Sequence, residues 1–190
     1  MTKSIYFSEE HDMLRAQVRR FVNEKVLPYG EKWEQDGMTP REVIREMGEL
    51  GFLGIQYEEA YGGANLDVLG TVVYAEELGY SSFGGFAITS LVHTDMASPH
   101  LANAGTPTQK AKYMPDIIAG NKITAVAVTE PDAGSDVAGM KSRAVKDGSD
   151  WVLNGTKMFI TNGVHAALAH GTWQYLSGAR GSQHSRQRRR

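Results

Sequence analysis

The stretch ITAVAVTEPDAGSD, Ile123 to Asp136, divides the chain into two unlike parts. Its first seven residues, Ile123-Thr124-Ala125-Val126-Ala127-Val128-Thr129, are short and β-branched, as a strand should be. Further on, Asp147-Gly148 and Asn154-Gly155 are hairpin turn signals. Trp151-Val152-Leu153 and Met158-Phe159-Ile160, between and after them, read as strands. Before Ile123 the pattern is helical. Ser8 is a candidate N-cap with Glu9 and Glu10 in the first turn, followed by Leu14, Val18, Phe21 and Val22 at helical spacing and Pro28 past the end. Thr39-Pro40-Arg41-Glu42 reads as a capping box with proline at the first helical position. Val43, Ile44, Met47 and Leu50 form its stripe, and Gly51 stops it. A third helix is expected over roughly 67–79 and a fourth over roughly 86–103. Thr106-Pro107-Thr108-Gln109 repeats the box ahead of Tyr113, Met114, Ile117 and Ile118, with Gly120 as the stop. Helices followed by antiparallel strands make an α+β order, not the βαβ alternation of a dinucleotide fold. The expected architecture is an all-helical domain over 1–122, then an incomplete antiparallel β domain over 123–165.

The composition fits a globular chain, with 41% apolar and 22% charged residues in 190. No run of apolar residues is long enough for a membrane span. The beginning, MTKSIYFSEEHD, has neither the apolar core of a signal peptide nor the basic character of a transit peptide, so the expected compartment is cytoplasmic. Cysteine is absent, which excludes disulfides and thiol–metal sites. The net charge of −2 hides an asymmetry. Five of the twenty basic residues, Arg180, Arg186, Arg188, Arg189 and Arg190, lie in the last 25, leaving 15 basic against 22 acidic residues in 1–165. Residues 166–190 show no strand alternation and no helix start, and are expected to form a disordered tail. The arginine run lacks the interleaved aromatics of a nucleic-acid site and reads as a solvated end. His93, His100, His165 and His170 lack metal-ligand spacing.

Two segments can carry chemistry. Val128-Thr129-Glu130-Pro131-Asp132-Ala133-Gly134-Ser135-Asp136 follows the first strand, and Pro131 and Gly134 force a tight turn. Successive N–H groups there can converge as an anion nest, with the Ser135 hydroxyl beside them. An ordinary strand-to-strand loop is the other reading, and the residues alone favour it. The second segment is Asn154-Gly155-Thr156-Lys157-Met158-Phe159-Ile160-Thr161-Asn162-Gly163. Phe159 could lie against a flat ring and Thr161 could offer a hydrogen bond. Taken alone, it reads better as a plain β-meander.

Together, VTEPDAGSD and NGTKMFITNG resemble the two signature segments of the acyl-CoA dehydrogenase family, in the right order and separation. Tyr61-Gly62-Gly63 and Tyr74-Ala75-Glu76-Glu77-Leu78-Gly79 match that family's helical domain, and the resemblance covers residues 1 to about 165. The stretch Gly85-Phe86-Ala87-Ile88-Thr89-Ser90 is most similar to the long-chain-type branch.

The resemblance implies an FAD-dependent α,β-dehydrogenation of acyl-CoA thioesters. A carboxylate takes the α proton and the flavin takes the β hydrogen as hydride. Val126, Val128 and Thr129 would line the flavin ring. Gly134 and Ser135 would contact the FAD pyrophosphate or the acyl-CoA beside it. Phe159, Ile160 and Thr161 would flank the isoalloxazine; many members carry Trp where Phe159 stands. The family's catalytic glutamate comes from a C-terminal domain beyond residue 190, so no catalytic residue is assigned here, and the chain reads as a shortened, inactive form. Electron-transfer flavoprotein is the partner implied for the full-length family, and homo-oligomers only for full-length relatives. A related flavoenzyme such as an acyl-CoA oxidase, or a non-catalytic interaction module reusing the helical domain, are the alternatives.

Overall fold

The computed structural model describes residues 5–171 and 174–175. A helical domain is followed by two small sheets among the described residues, the expected α+β order. Helix α1 (Glu9–Phe21) runs on through a π-helical turn, Val22–Val26. Ser8 caps it, with His11 as partner: the Ser8 amide donates to His11 Nδ1 at 3.0 Å. With Nδ1 accepting, Nε2 carries the proton, and it meets Asp67 Oδ1 at 2.9 Å. Asp67 caps α4 (Val68–Tyr80), accepting from Leu69 and Gly70 N–H. One imidazole thus ties two helix starts together.

α1 and α4 also share one carboxylate. Glu77 is fully buried. Arg15 Nη1 donates to it at 2.9 Å, and Arg19 donates through Nε and through Nη2, the latter at 3.0 Å. Arg15 and Arg19 are one turn apart, so both guanidinium groups reach the same acid. The apolar core beneath includes Val18, Phe21, Met47, Phe52, Tyr74 and Leu78.

Helix α2 (Gly30–Asp36) has no counterpart in the sequence reading, because it carries no apolar stripe beyond Trp33. Helix α3 (Arg41–Glu49) begins one residue later than the Thr39 box predicts. Pro40 is extended, with ψ of 143°, and takes the cap position itself. The Met38 amide closes the end of α2 on the Trp33 carbonyl, and Thr39 is buried by that short link without capping α3. The expected fourth helix is one run in three parts: α5 (Gly84–Leu91), a π-helical turn (Val92–Ala97) and α6 (Ser98–Ala104).

Both π turns have the same cause in sequence. Leu27 donates to the Val22 carbonyl and Ser98 to the His93 carbonyl, each five residues back, and each is followed directly by proline, Pro28 and Pro99. A proline ring collides with the carbonyl four residues before it in a regular helix. Widening the preceding turn relieves that collision.

Helix α7 (Pro107–Ile118) starts as expected. Gln109 N–H donates to Thr106 Oγ1 at 3.2 Å, and Thr106 N–H to Gln109 Oε1 at 2.8 Å. Gly120 ends it at φ +71°, where a Cβ would sit 2.6 Å from the Ile44 carbonyl oxygen, so glycine lets α7 close on α3. No helix among the described residues is long and apolar enough to cross a membrane.

The β region opens with β1 (Thr124–Ala127), shorter at both ends than the run Ile123–Thr129. β2 (Arg143–Asp147) and β3 (Asp150–Asn154) form the antiparallel hairpin that Asp147-Gly148 signals, with Asp147 opposite Asp150 and Gly148 at φ +58°. Asn154-Gly155 makes no hairpin. The chain leaves β3 extended, and a Cβ on Gly155 would run into Ser142. Met158–Ile160 is irregular, not a strand. The expected unstructured tail is also corrected in part. β4 (Leu168–Gly171) pairs with β1 and β5 (Gln174–Tyr175) with β2, both parallel. Their shortness and lack of alternation hid them, since two short strands draw their order from backbone pairing. The expectation for 176–190 lies outside the described residues.

The shared Glu77 gives a prediction. Arg15→Met/Arg19→Met strands a buried carboxylate and is expected to lower the unfolding free energy by about 3–5 kcal/mol. Glu77→Gln leaves two partly exposed guanidinium groups that can hydrate, and is expected to cost about 1–2 kcal/mol. Urea unfolding at pH 7 measures both, and the reverse order would contradict the arrangement.

Candidate functional site

The loop after β1 is built around Glu130. Its N–H donates to the Ala133 carbonyl at 2.8 Å and its carbonyl accepts from Ala133 N–H at 3.2 Å, closing a tight turn over Pro131 and Asp132. Its carboxylate accepts from Lys141 N–H at 2.6 Å, Ser142 N–H at 3.1 Å and Lys157 Nζ at 2.7 Å. Lys157 also donates to the Val128 carbonyl at 2.8 Å. Glu130 is 6% exposed. A carboxylate so held is an anchor for three strand ends, not a free base, and the Lys157 ammonium with the two amides holds it down at about 2.

The same lysine pulls the second segment beside the first. Met158 N–H donates to the Thr129 carbonyl at 2.9 Å. The two sequence segments therefore run together, with Val128 and Thr129 against Met158 and its successors. Val126, Val128, Thr129, Ile160 and Thr161 are all partly exposed, whereas Ala125 and Ala127 face the core. Phe159 is 87% exposed and has φ of +55°. An aromatic residue in left-handed backbone with its ring in solvent is unfavourable twice over, and such strain gathers at ligand sites. Gly134 and Ser135 are exposed, and a Cβ on Gly134 would meet no atom within 4 Å. Asp136 folds back to accept from Gly139 N–H at 3.2 Å and stiffens the turn. A cavity of about 280 Å³ opens alongside, lined by Trp33, Phe86, Ile88, Thr89, Thr161 and Asn162.

Three residues in this region escaped sequence reasoning. Asn162, at φ +64°, donates from Nδ2 to the carbonyls of Thr89 at 3.0 Å and Thr124 at 3.1 Å. Thr124 is fully buried and gives its N–H to His93 Nδ1 at 3.1 Å. His93, 1% exposed, reaches the Ile117 carbonyl through Nε2 at 3.0 Å. Asn-Gly at 162–163 signalled a left-handed turn but not these contacts, and nothing in spacing linked His93 to Thr124.

Burial keeps His93 neutral and lowers it to about 4, against the carbonyl bond, which favours the proton. An unfolded histidine takes its proton near 6.5, so His93 subtracts nothing above that pH. Stability then falls, by about 3 kcal/mol in all, as pH drops to about 4. Glu130 acts lower down: its contribution is full above about 4.5 and is lost as pH falls toward about 2. Asp95, raised by burial, works in the opposite sense. Urea unfolding across pH 7 to 4 is expected to show a slope that flattens in His93→Asn. Lys157→Met is expected to move the acid transition to higher pH. An unchanged slope and transition in both variants would overturn these assignments.

Residues 8–121 match the family model described as acyl-CoA dehydrogenase, N-terminal domain, and residues 125–188 the one described as acyl-CoA dehydrogenase, middle domain. The mitochondrial long-chain specific acyl-CoA dehydrogenase of Rattus norvegicus is 46% identical over 157 residues, which cover 83% of this chain and 36% of that protein. Among solved structures, an acyl-CoA dehydrogenase from Geobacillus kaustophilus agrees with a TM-score of 0.83 at 42% identity, over 90% of this chain and 44% of that one. An acyl-CoA dehydrogenase complexed with FAD from Bacillus anthracis agrees with a TM-score of 0.85 at 36% identity, over 90% of this chain and 30% of that one. The chain spans less than half the length of these relatives. With both of its parts matched in order, the helical one and the β one, the chain belongs to the acyl-CoA dehydrogenase family.

Proposed function

We propose that the chain forms one wall of the flavin site of an FAD-dependent acyl-CoA dehydrogenase. The observation that carries this reading is the exposed, left-handed Phe159, held beside Val128 and Thr129 by the Met158–Thr129 and Lys157–Glu130 bonds. Val126, Val128, Thr129, Phe159, Ile160 and Thr161 would border the isoalloxazine. The open Gly134 and the Ser135 hydroxyl would meet the pyrophosphate or the acyl-CoA passing beside it. The fit is chemical: a half-apolar strip for a flat ring, then a turn with Gly134 and Ser135 exposed toward an anion. FAD in place would supply the hydride acceptor for the β hydrogen of the thioester. The family's proton-abstracting carboxylate has no counterpart at this wall, since Glu130 is committed to Lys157 and two amides. Electron-transfer flavoprotein is the acceptor proposed for the assembled enzyme. The helical part is taken as 1–122 and the flavin-facing part as beginning at 123.

A single wall is expected to hold FAD weakly, because each tenfold in affinity needs about 1.4 kcal/mol of contact. Purified alone, these 190 residues are expected to lose FAD on gel filtration and to show no dye reduction with acyl-CoA substrates of any length. Joined after Gly171 to the remaining domains of the Geobacillus kaustophilus relative, they are expected to retain FAD and turn over. Phe159→Ala in that fusion is expected to weaken FAD about five- to tenfold. Turnover by the 190-residue chain at roughly 1–100 per second would overturn the reading.

A further inference from the structure

We infer that His93 is a positioning residue, and that the π-helical turn Val92–Ala97 sets, through it and Thr124, the register of both segments that face the proposed flavin. The flavin part of this inference rests on the proposed function; the positioning part does not.

The geometry converges on Thr124, the first residue of β1. Its N–H goes to His93 Nδ1, its Oγ1 donates to the His93 carbonyl at 3.1 Å, and Ser98 Oγ lies 3.0 Å from that hydroxyl. Every one of these groups is buried, and His93, Ser98 and Thr124 are each at most 1% exposed. In such surroundings a missing partner costs a full desolvation penalty, so the network tolerates one arrangement only. The tautomer follows from the partners. A carbonyl can only accept, so Nε2 carries the proton toward Ile117 and Nδ1 is a bare acceptor for Thr124. One ring therefore fixes the distance from the end of α7 to the start of β1.

From Thr124 the constraint passes to the second segment. The Thr124 carbonyl accepts from Asn162 Nδ2, whose other hydrogen goes to the Thr89 carbonyl just before the π turn. Val126 follows Thr124 within β1, Val128 and Thr129 come directly after that strand, and Phe159, Ile160 and Thr161 immediately precede Asn162. Each segment is thus pinned at one end to the same few residues of the helical domain. Carbonyls of Thr89, His93 and Thr94 all accept from outside the α5–α6 run; Gln56 Nε2 reaches Thr94 at 3.1 Å. The widened turn ahead of Pro99 presents those of His93 and Thr94.

Two near-isosteric substitutions separate the two bonds of the ring. Asparagine places an oxygen where Nδ1 stands, so His93→Asn keeps the acceptor for Thr124 and loses the bond to Ile117. Glutamine reaches where Nε2 stands, so His93→Gln keeps the Ile117 bond and loses Thr124. Amide hydrogen exchange on the 190-residue chain is the readout. His93→Gln is expected to speed exchange about tenfold or more at 124–127 and at Met158, with the end of α7 little changed. His93→Asn is expected to leave 124–127 and Met158 protected. If either fails to fold, Asn162→Asp, which sets a carboxylate against two carbonyls, is expected to release Met158–Thr161 while β1 stays protected. In the fusion described above, the visible CD of bound FAD is expected to be normal in His93→Asn and altered in His93→Gln. Equal loss of protection everywhere in both histidine variants, in proportion to their unfolding free energies, would reduce His93 to ordinary core and overturn the inference. The expected exchange pattern with no FAD bound by any fusion would support the positioning and sink the flavin reading alone.

Discussion

A carboxylate taken out of water must be answered by positive charge or by several N–H groups, and the β region is organised by that requirement at Glu130. Lys157 and the amides of Lys141 and Ser142 answer it, and they come from the approach to β2 and from the segment after β3. Because Lys157 also takes the Val128 carbonyl, the segment that follows it cannot continue as a regular strand beside β3. It is drawn across to Thr129 instead, and Phe159 is left in left-handed backbone with its ring outward. One buried ion pair draws the two segments of the candidate site together.

The helical domain uses the same physics for a different end. Glu77 between Arg15 and Arg19 locks α1 to α4. Where the π turn Val92–Ala97 meets β1, the contacts are neutral: His93, Thr124, Ser98 and Asn162 exchange hydrogen bonds. Proline supplies the local shape. Pro28 and Pro99 each follow a wide turn, and at and just before the second the carbonyls of His93 and Thr89 accept from Thr124 and Asn162.

Legibility in the sequence followed the range of each interaction. Thr106 with Gln109 and Asp147 with Gly148 act over three or four residues, and both formed as read. The two signature segments were found because their residue order is distinctive, although each alone reads better as a plain loop or meander. What failed depended on distant partners. Met158–Ile160 has the composition of a strand, but Lys157 and Thr129 override it. Thr39 has the letters of a cap, but the link from α2 buries it. β4 and β5 lack alternation because their order comes from the backbone of β1 and β2. The π turns were readable in principle from Pro28 and Pro99, a signal that apolar periodicity does not register.

Val126–Thr129, Gly134–Ser135 and Phe159–Thr161 are proposed to form one surface for FAD. Amide and side-chain NMR shifts of the isotope-labelled 190-residue chain, followed through a titration with FAD to millimolar concentration, test it most directly, because weak binding is still mapped residue by residue. The account predicts saturable shifts concentrated on those three stretches, largest for Phe159, with α1 and α4 unmoved. Shifts centred elsewhere, or none up to millimolar FAD in a folded chain, would contradict it.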